Sequence, residues 1–229
     1  VRDGADHDLI GMYHITDDGK LTYIGGALEG GMMAAYTDHF SKYAVLEYDK
    51  AYRDVDKRHW AYNAIRKMSA KHIVTGINDQ LFAPDQKVTR AEFAAMIARA
   101  LGLKAESPAS FKDVDSSKWH AEAIAAAYEA GIVEGRNDGT FAPDAAITRQ
   151  EMAVMLMRAY ACRTGGKAES AAESGFADRS QISAWAREAV DQAARLGVLK
   201  GRGNNRFDPL GLVVRAESVQ AVANLLDVS

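Results

Sequence analysis

The sequence predicts a mainly α-helical fold: three tandem helix–loop–helix repeats behind a short β-rich segment. The first observation behind this is a period. Asp54, Trp60, Pro84 and Arg90 return 59 positions later as Asp113, Trp119, Pro143 and Arg149, then 65 or 66 positions on as Asp178, Trp185, Pro209 and Arg215. Self-similarity at such spacing marks a repeat array and has to be settled before any local motif is read. The second is helical spacing of apolar residues twice in each copy. The third is the contrast before residue 50, where short strand-like runs flank a turn.

Residues 1–50 read as the β-rich end of an upstream domain, in keeping with a chain that starts at Val1 rather than Met. Leu9–Ile15 and Leu21–Ile24 flank Asp17-Asp18-Gly19-Lys20, a hairpin signal in which Gly19 supplies a positive φ. Met32–Tyr36 and Tyr43–Tyr48 read as two more strands. Four short strands make a poor free-standing core, so they are expected to gain order by packing on the helical part.

The repeats are placed at 51–105, 106–166 and 167–229. In the second, Asp115-Ser116-Ser117 offers helix caps before Trp119. Ile124, Ala127 and Tyr128 follow on one face, and Gly131 is a left-handed stop. Gly197 is its counterpart in the third copy, while His72 in the first tolerates positive φ less well. A turn at Gly135–Gly139 leads through Phe141 and Pro143 to the second helix, striped by Met152, Met155, Leu156 and Tyr160. About 50 residues with two short helices bury little surface alone, so the copies should share one core.

Composition narrows the function. The 229 residues carry a formal net charge of -3, which draws the whole chain to neither nucleic acid nor acidic membrane. No apolar run reaches the roughly 18 residues a membrane span needs. Cys162 is the only cysteine, so it has no partner for an internal disulfide; it reads as a small buried apolar group. Any anion recognition must be local.

Such a locality recurs at the start of each second helix. Thr89-Arg90-Ala91-Glu92 returns as Thr148-Arg149-Gln150-Glu151 and, altered, as Val214-Arg215-Ala216-Glu217. Thr-x-x-Glu is a capping box. The arginine gains nothing from the helix dipole at that end, so its triple placement suggests a task other than folding. Free helix N–H groups beside a guanidinium fork would form an anion pocket.

Phe111-Lys112-Asp113-Val114, Trp119, Gly131-Ile132-Val133, Gly135-x-x-Asp138-Gly139-x-Phe141-x-Pro143 and Thr148-Arg149-x-Glu151 together resemble a surface-layer homology (SLH) repeat. The resemblance covers 52–228 as three copies. It implies a pseudo-threefold, all-helical trefoil in which one helix per repeat forms a central bundle. It also implies non-covalent anchoring of a secreted protein on the bacterial cell wall or S-layer. The partner implied is a secondary cell wall polysaccharide bearing pyruvate ketal on N-acetylmannosamine, held in grooves between repeats, without cofactor or metal. The parent protein would then be the lattice subunit or a minor surface protein using the same anchor.

Carried over residue by residue, the anion contact falls on Arg90, Arg149 and Arg215, with Thr89 and Thr148 as caps beside it. Trp60, Trp119 and Trp185 are either an aromatic wall for the sugar or core residues. Gly76, Gly135 and Gly201 are either close approaches to ligand or plain turn glycines. Asp54, Asp113 and Asp178 read as structural caps, and Glu92, Glu151 and Glu217 as capping-box partners. Val214 cannot cap, so the Arg215 groove is expected to be weakened or chiefly structural.

Three other functions compete with this one. An enzyme would need a carboxylate pair or nucleophile constellation, and none repeats with the period. A helical-repeat scaffold for other proteins is the alternative, and it predicts binding indifferent to pyruvate. Nucleic-acid binding is disfavoured by the charge.

Overall fold

A computed structural model describes residues 4–37, 41–166, 168–170 and 172–228. Val1, at which the sequence starts, and Lys167, the first residue assigned to the third repeat, lie outside them. The chain forms two compact units, Val1–Ala83 and Pro84–Ser229.

The first unit holds β1 (Ile10–Ile15), β2 (Leu21–Gly25), β3 (Ala27–Glu29), β4 (Met32–Ala34), β5 (Lys42–Glu47) and α1 (Tyr62–Ala70). The predicted hairpin is present: Gly19 has φ 80°, and β1 pairs with β2 antiparallel. β1 is the central strand of a sheet ordered β2-β1-β5, while β3 and β4 form a separate hairpin. The sheet is tied to α1 by Arg66, which grips the Asp49 carboxylate at 2.7 Å, and by a Lys67–Asp8 pair at 3.1 Å.

His72 does adopt the left-handed conformation, with φ 53°. A non-glycine residue there costs on the order of 1 kcal/mol or more. Rings from the β segment hold it: Tyr23 stacks on the imidazole at 5.0 Å, Tyr48 lies 5.1 Å away, and Tyr13 Oη meets Nε2 at 3.1 Å. The expected packing of strands on helical residues therefore converges on the position where this repeat lacks glycine.

The second unit contains α2 (Arg90–Ala100), α3 (Ala121–Glu129), α4 (Arg149–Thr164), α5 (Arg187–Arg195) and α6 (Arg215–Asp227). The three second helices, α2, α4 and α6, contact one another; α3 packs on α2 and α5 on α4. Phe93, Ile97, Met152, Leu156, Val219, Val222 and Leu225 are fully buried in the core. The central bundle of second helices is as the sequence implied.

The helix starts are joined by a closed ring of backbone contacts. Arg90 N–H donates to Ala145 O, Arg149 N–H to Gly211 O and Arg215 N–H to Gln86 O, at 2.9, 3.0 and 2.9 Å. One residue on, Ala91, Gln150 and Ala216 donate to the carbonyls of Pro143, Pro209 and Pro84. Single β-bridges, Lys87–Val214, Thr89–Ala146 and Thr148–Leu212, complete the circuit. Each helix start is thus seated on the loop of another copy.

This corrects one premise of the anion pocket. The first helix N–H groups are not free, because carbonyls more than fifty residues away in sequence take them. The third N–H of α2 and of α4 goes to Thr89 and Thr148, whose capping boxes are complete. At α6 only half a box exists: Glu217 accepts from Val214 N–H at 3.1 Å, and a valine side chain has no acceptor to return.

Other expectations shift in detail. Asp54, Asp113 and Asp178 are structural, but they cap no helix. Each carboxylate accepts two consecutive loop N–H groups: Phe82 and Ala83, Phe141 and Ala142, Phe207 and Asp208, all at 2.7–2.8 Å. The second residue of each pair is left-handed, with φ 59°, 59° and 58°. Asp115 caps an early turn through Ser117, and α3 begins only at Ala121 without a side-chain cap. Tyr128 is half exposed, its edge against Phe111. Cys162 is exposed rather than buried, because α4 runs to Thr164 and its last turn overhangs the core.

Candidate functional site

All three signature arginines belong to the second unit, and Arg90 and Arg149 have equivalent settings there. Arg90 Nε donates to Phe141 O at 2.9 Å, Nη1 to Glu151 Oε1 at 3.0 Å, and Nη2 to Glu134 O at 3.5 Å. Arg149 repeats this with Phe207 O at 2.8 Å, Glu217 Oε1 at 3.4 Å and Lys200 O at 2.7 Å. Each guanidinium lies over the ring of that phenylalanine, 4.8 Å from its centre. Arg90 and Arg149 are buried, with side chains 10% and 4% exposed. Arg215 opens α6 in the same backbone pattern.

The physical consequence is a cation in a poorly solvated place. Burial pulls the Arg90 pKa down, Glu151 raises it, and the nearby Arg136 lowers it again. Burial likewise lowers Arg149, with Glu217 opposing and Arg202 adding to the effect. A guanidinium has five N–H donors. Three on Arg90 have protein partners, so part of the fork remains for an incoming acceptor.

Arg90 lies in the wall of a cavity of about 430 Å³. Val133–Asn137, Glu151, Val154, Met155 and Arg158 of the second repeat line it, with Trp185 of the third. All three copies therefore meet there. Arg136 is exposed, and its guanidinium makes no hydrogen bond or ion pair among the described residues. Arg158 pairs with Glu134 at 2.8 Å. Trp185 is 59% exposed, as are Trp60 and Trp119 at 60% and 61%. None of the three tryptophans is a core residue.

The loop glycines have a steric reason. A Cβ on Gly135 would sit 2.5 Å from the Phe111 ring, and one on Gly76 2.6 Å from the Tyr52 ring. On Gly201 it would meet Arg206 O at 2.8 Å and Phe176 at 3.2 Å. These glycines let the aromatic residue that opens each motif close over the turn. Gly135 also borders the cavity.

The sequence pairs each arginine with the tryptophan of no particular copy, and it gives Arg136 only as a turn residue and Arg158 and Arg202 no role. One signal for the first and last was present: Gly-Arg occurs twice at the same repeat position, as Gly135-Arg136 and Gly201-Arg202. Among the described residues, no group of three or more His, Cys, Asp or Glu side chains could hold a metal ion. No described helix is long and apolar enough to cross a membrane.

The S-layer homology domain model matches residues 51–94, 110–153 and 175–217, one match per repeat. The chain belongs to the S-layer homology family, a class of cell-wall anchoring module, and its place is the extracellular cell-wall surface of bacteria. Among its relatives is an amylopullulanase of Thermoanaerobacterium thermosulfurigenes, 42% identical over 95% of this chain and 12% of that protein. Exoglucanase XynX of Acetivibrio thermocellus is 41% identical over 81% of this chain and 17% of its own. An S-layer protein of Bacillus thuringiensis subsp. finitimus is 30% identical over 87% of this chain and 24% of its own. The chain thus spans less than a quarter of each of these relatives.

Proposed function

We propose that this chain anchors its parent protein by binding an acid-bearing secondary cell wall polysaccharide, with pyruvate ketal on N-acetylmannosamine as the recognised group, in the cavity beside Arg90. The observation that carries this reading is the meeting of Arg90, Arg136 and Trp185, from three different copies, around one open cavity of about 430 Å³. A ketal carboxylate can bridge the spare Arg90 donors and the Arg136 fork, and charge-assisted contacts of this kind are worth about 1.5–3 kcal/mol each. The sugar's apolar face suits the exposed indole of Trp185. Gly135 borders the cavity without a side chain to occupy it.

The module performs no chemistry in this reading. The named relatives include polysaccharide-degrading enzymes and S-layer proteins. That spread fits an anchor attached to different cargo, and the parent's own activity lies in other segments.

Calorimetry of the chain against pyruvylated and unmodified N-acetylmannosamine glycosides tests it. Binding confined to the pyruvylated sugar, and weakened by Arg136→Ala and Trp185→Ala, is expected. Equal binding of both sugars, or retention on wall material by a protein component instead, would reject it.

A further inference from the structure

The setting of Arg149 matches that of Arg90 in backbone, phenylalanine and glutamate, yet a second arginine is bonded to its glutamate. Arg202 is the counterpart of Arg136. Its Nε donates to Glu217 Oε1 at 2.7 Å, its Nη1 to Asp208 Oδ2 at 2.6 Å, and its Nη2 to Leu212 O at 2.9 Å and to Glu217 Oε2 at 2.5 Å. Glu217 is also the partner of Arg149. Arg202 therefore folds across the carboxylate that faces the signature arginine, and four of its five donors are spent.

The arginine itself is not what differs, since both loops read Gly-Arg. Of the positions that differ between the two loops, two bear on its side chain through their own side chains or lack of one. Asp208 stands where the second copy has Ala142, and Gly211 stands where it has Ala145. Asp208 supplies the carboxylate that catches Nη1. Gly211 supplies the room: a Cβ there would fall into the Asp208 carboxylate and the Arg202 Nη1. Asp208 keeps the left-handed φ of its counterpart, 58° against 59°, so the exchange leaves the loop path unchanged.

We propose that Asp208 and Gly211 are specificity-determining residues: they latch Arg202 into the Arg149 groove, keep the acidic sugar out of it, and leave the Arg90 cavity as the open site of the second unit. This rests on the acid-sugar reading of the Arg90 cavity. It assigns the difference between grooves to residues outside the Thr-Arg-x-Glu signature.

Reciprocal transplants in the full chain test it, with a pyruvylated N-acetylmannosamine glycoside as probe and calorimetric stoichiometry and affinity as readouts. Asp208→Ala with Gly211→Ala copies the second repeat into the third and is expected to add one binding site relative to the wild type. Ala142→Asp with Ala145→Gly copies the third into the second and is expected to lower affinity at the Arg90 cavity about tenfold or more, the loss of one charge-assisted contact. Because each exchange uses residues already accommodated at the equivalent position, both variants should retain the wild-type circular dichroism spectrum. As a second measurement, the Arg149 Nε–H signal in 15N NMR should shift with the glycoside only in the Asp208→Ala/Gly211→Ala variant.

Unchanged stoichiometry in that variant, or an Arg149 signal that already moves in the wild type, overturns the latch. A wild-type chain that binds no glycoside at all overturns the acid-sugar reading itself, and the two failures are distinct.

Discussion

The Arg90 and Arg149 grooves show how little separates an open site from a closed one. Both have a buried guanidinium over a phenylalanine ring, a glutamate from the next copy and a Gly-Arg loop. In one, the loop arginine leaves its donors unspent beside a cavity; in the other it is consumed by Glu217 and Asp208. The lesson is that the signature arginines are first of all structural cations, and that the surrounding loop decides whether an anion can join them.

The largest expected effect tests that structural role. Arg149→Ala removes a nearly enclosed cation and leaves the Phe207 and Lys200 carbonyls without their donor, while Glu217 keeps Arg202; hydrogen bonds from a charged donor are worth about 1.5–3 kcal/mol each. Arg90→Ala should cost less, because its surroundings are more open. Urea unfolding of the two variants would break the comparison if Arg90→Ala proved the more destabilising. Below that comes Val214→Thr. It completes the half box that shares Glu217 with the latch, and should gain about 0.5–2 kcal/mol, the range for a missing N-cap acceptor. No gain would mean that Glu217 is held too firmly by Arg202 to take a cap geometry.

Acid should release the latch. Burial opposes ionisation of Glu217, but the Arg202 guanidinium, the Val214 N–H and Arg149 outweigh it and hold its pKa below the usual carboxylate value. A depressed carboxylate stabilises fully above its unfolded pKa, about 4.3, and loses that contribution as pH falls through the lower folded value. The stability difference between wild type and Arg202→Ala should therefore be present at pH 6 and shrink below about pH 4. A difference that stays constant down to pH 3 would show that Arg202 acts without its carboxylate partners. The smallest effect is that of Arg136→Ala on folding: an exposed fork without partners should change stability by less than about 0.5 kcal/mol. That makes it the clean probe of binding.

Much of this was legible in the sequence, because much of it is local or periodic. The repeat period marked the second helices that pack together. Thr89 and Thr148 announced complete boxes, Val214 an incomplete one, and Gly131 and Gly197 left-handed stops with φ 68° and 71°. What escaped was non-local. Nothing near Arg90 in sequence says that Ala145 O takes its N–H, or that Trp185 of another copy borders its cavity. Cys162 was misplaced because a buried stripe does not reveal where a helix outruns its core. The latch escaped because it lies in two small residues, and a pattern search weighs Asp208 and Gly211 as decay of a motif rather than as parts with a use.

The circuit of carbonyls beneath the three helix starts has a further consequence. Every copy both lends an acceptor and borrows one at these helix starts. Removing residues 167–229 would strand the amides of Arg149 and Gln150 and the carbonyl-linked Val88 together. The three second helices should therefore melt in one step, and an anchor truncated by a single repeat should be lost to proteolysis before its affinity could be measured.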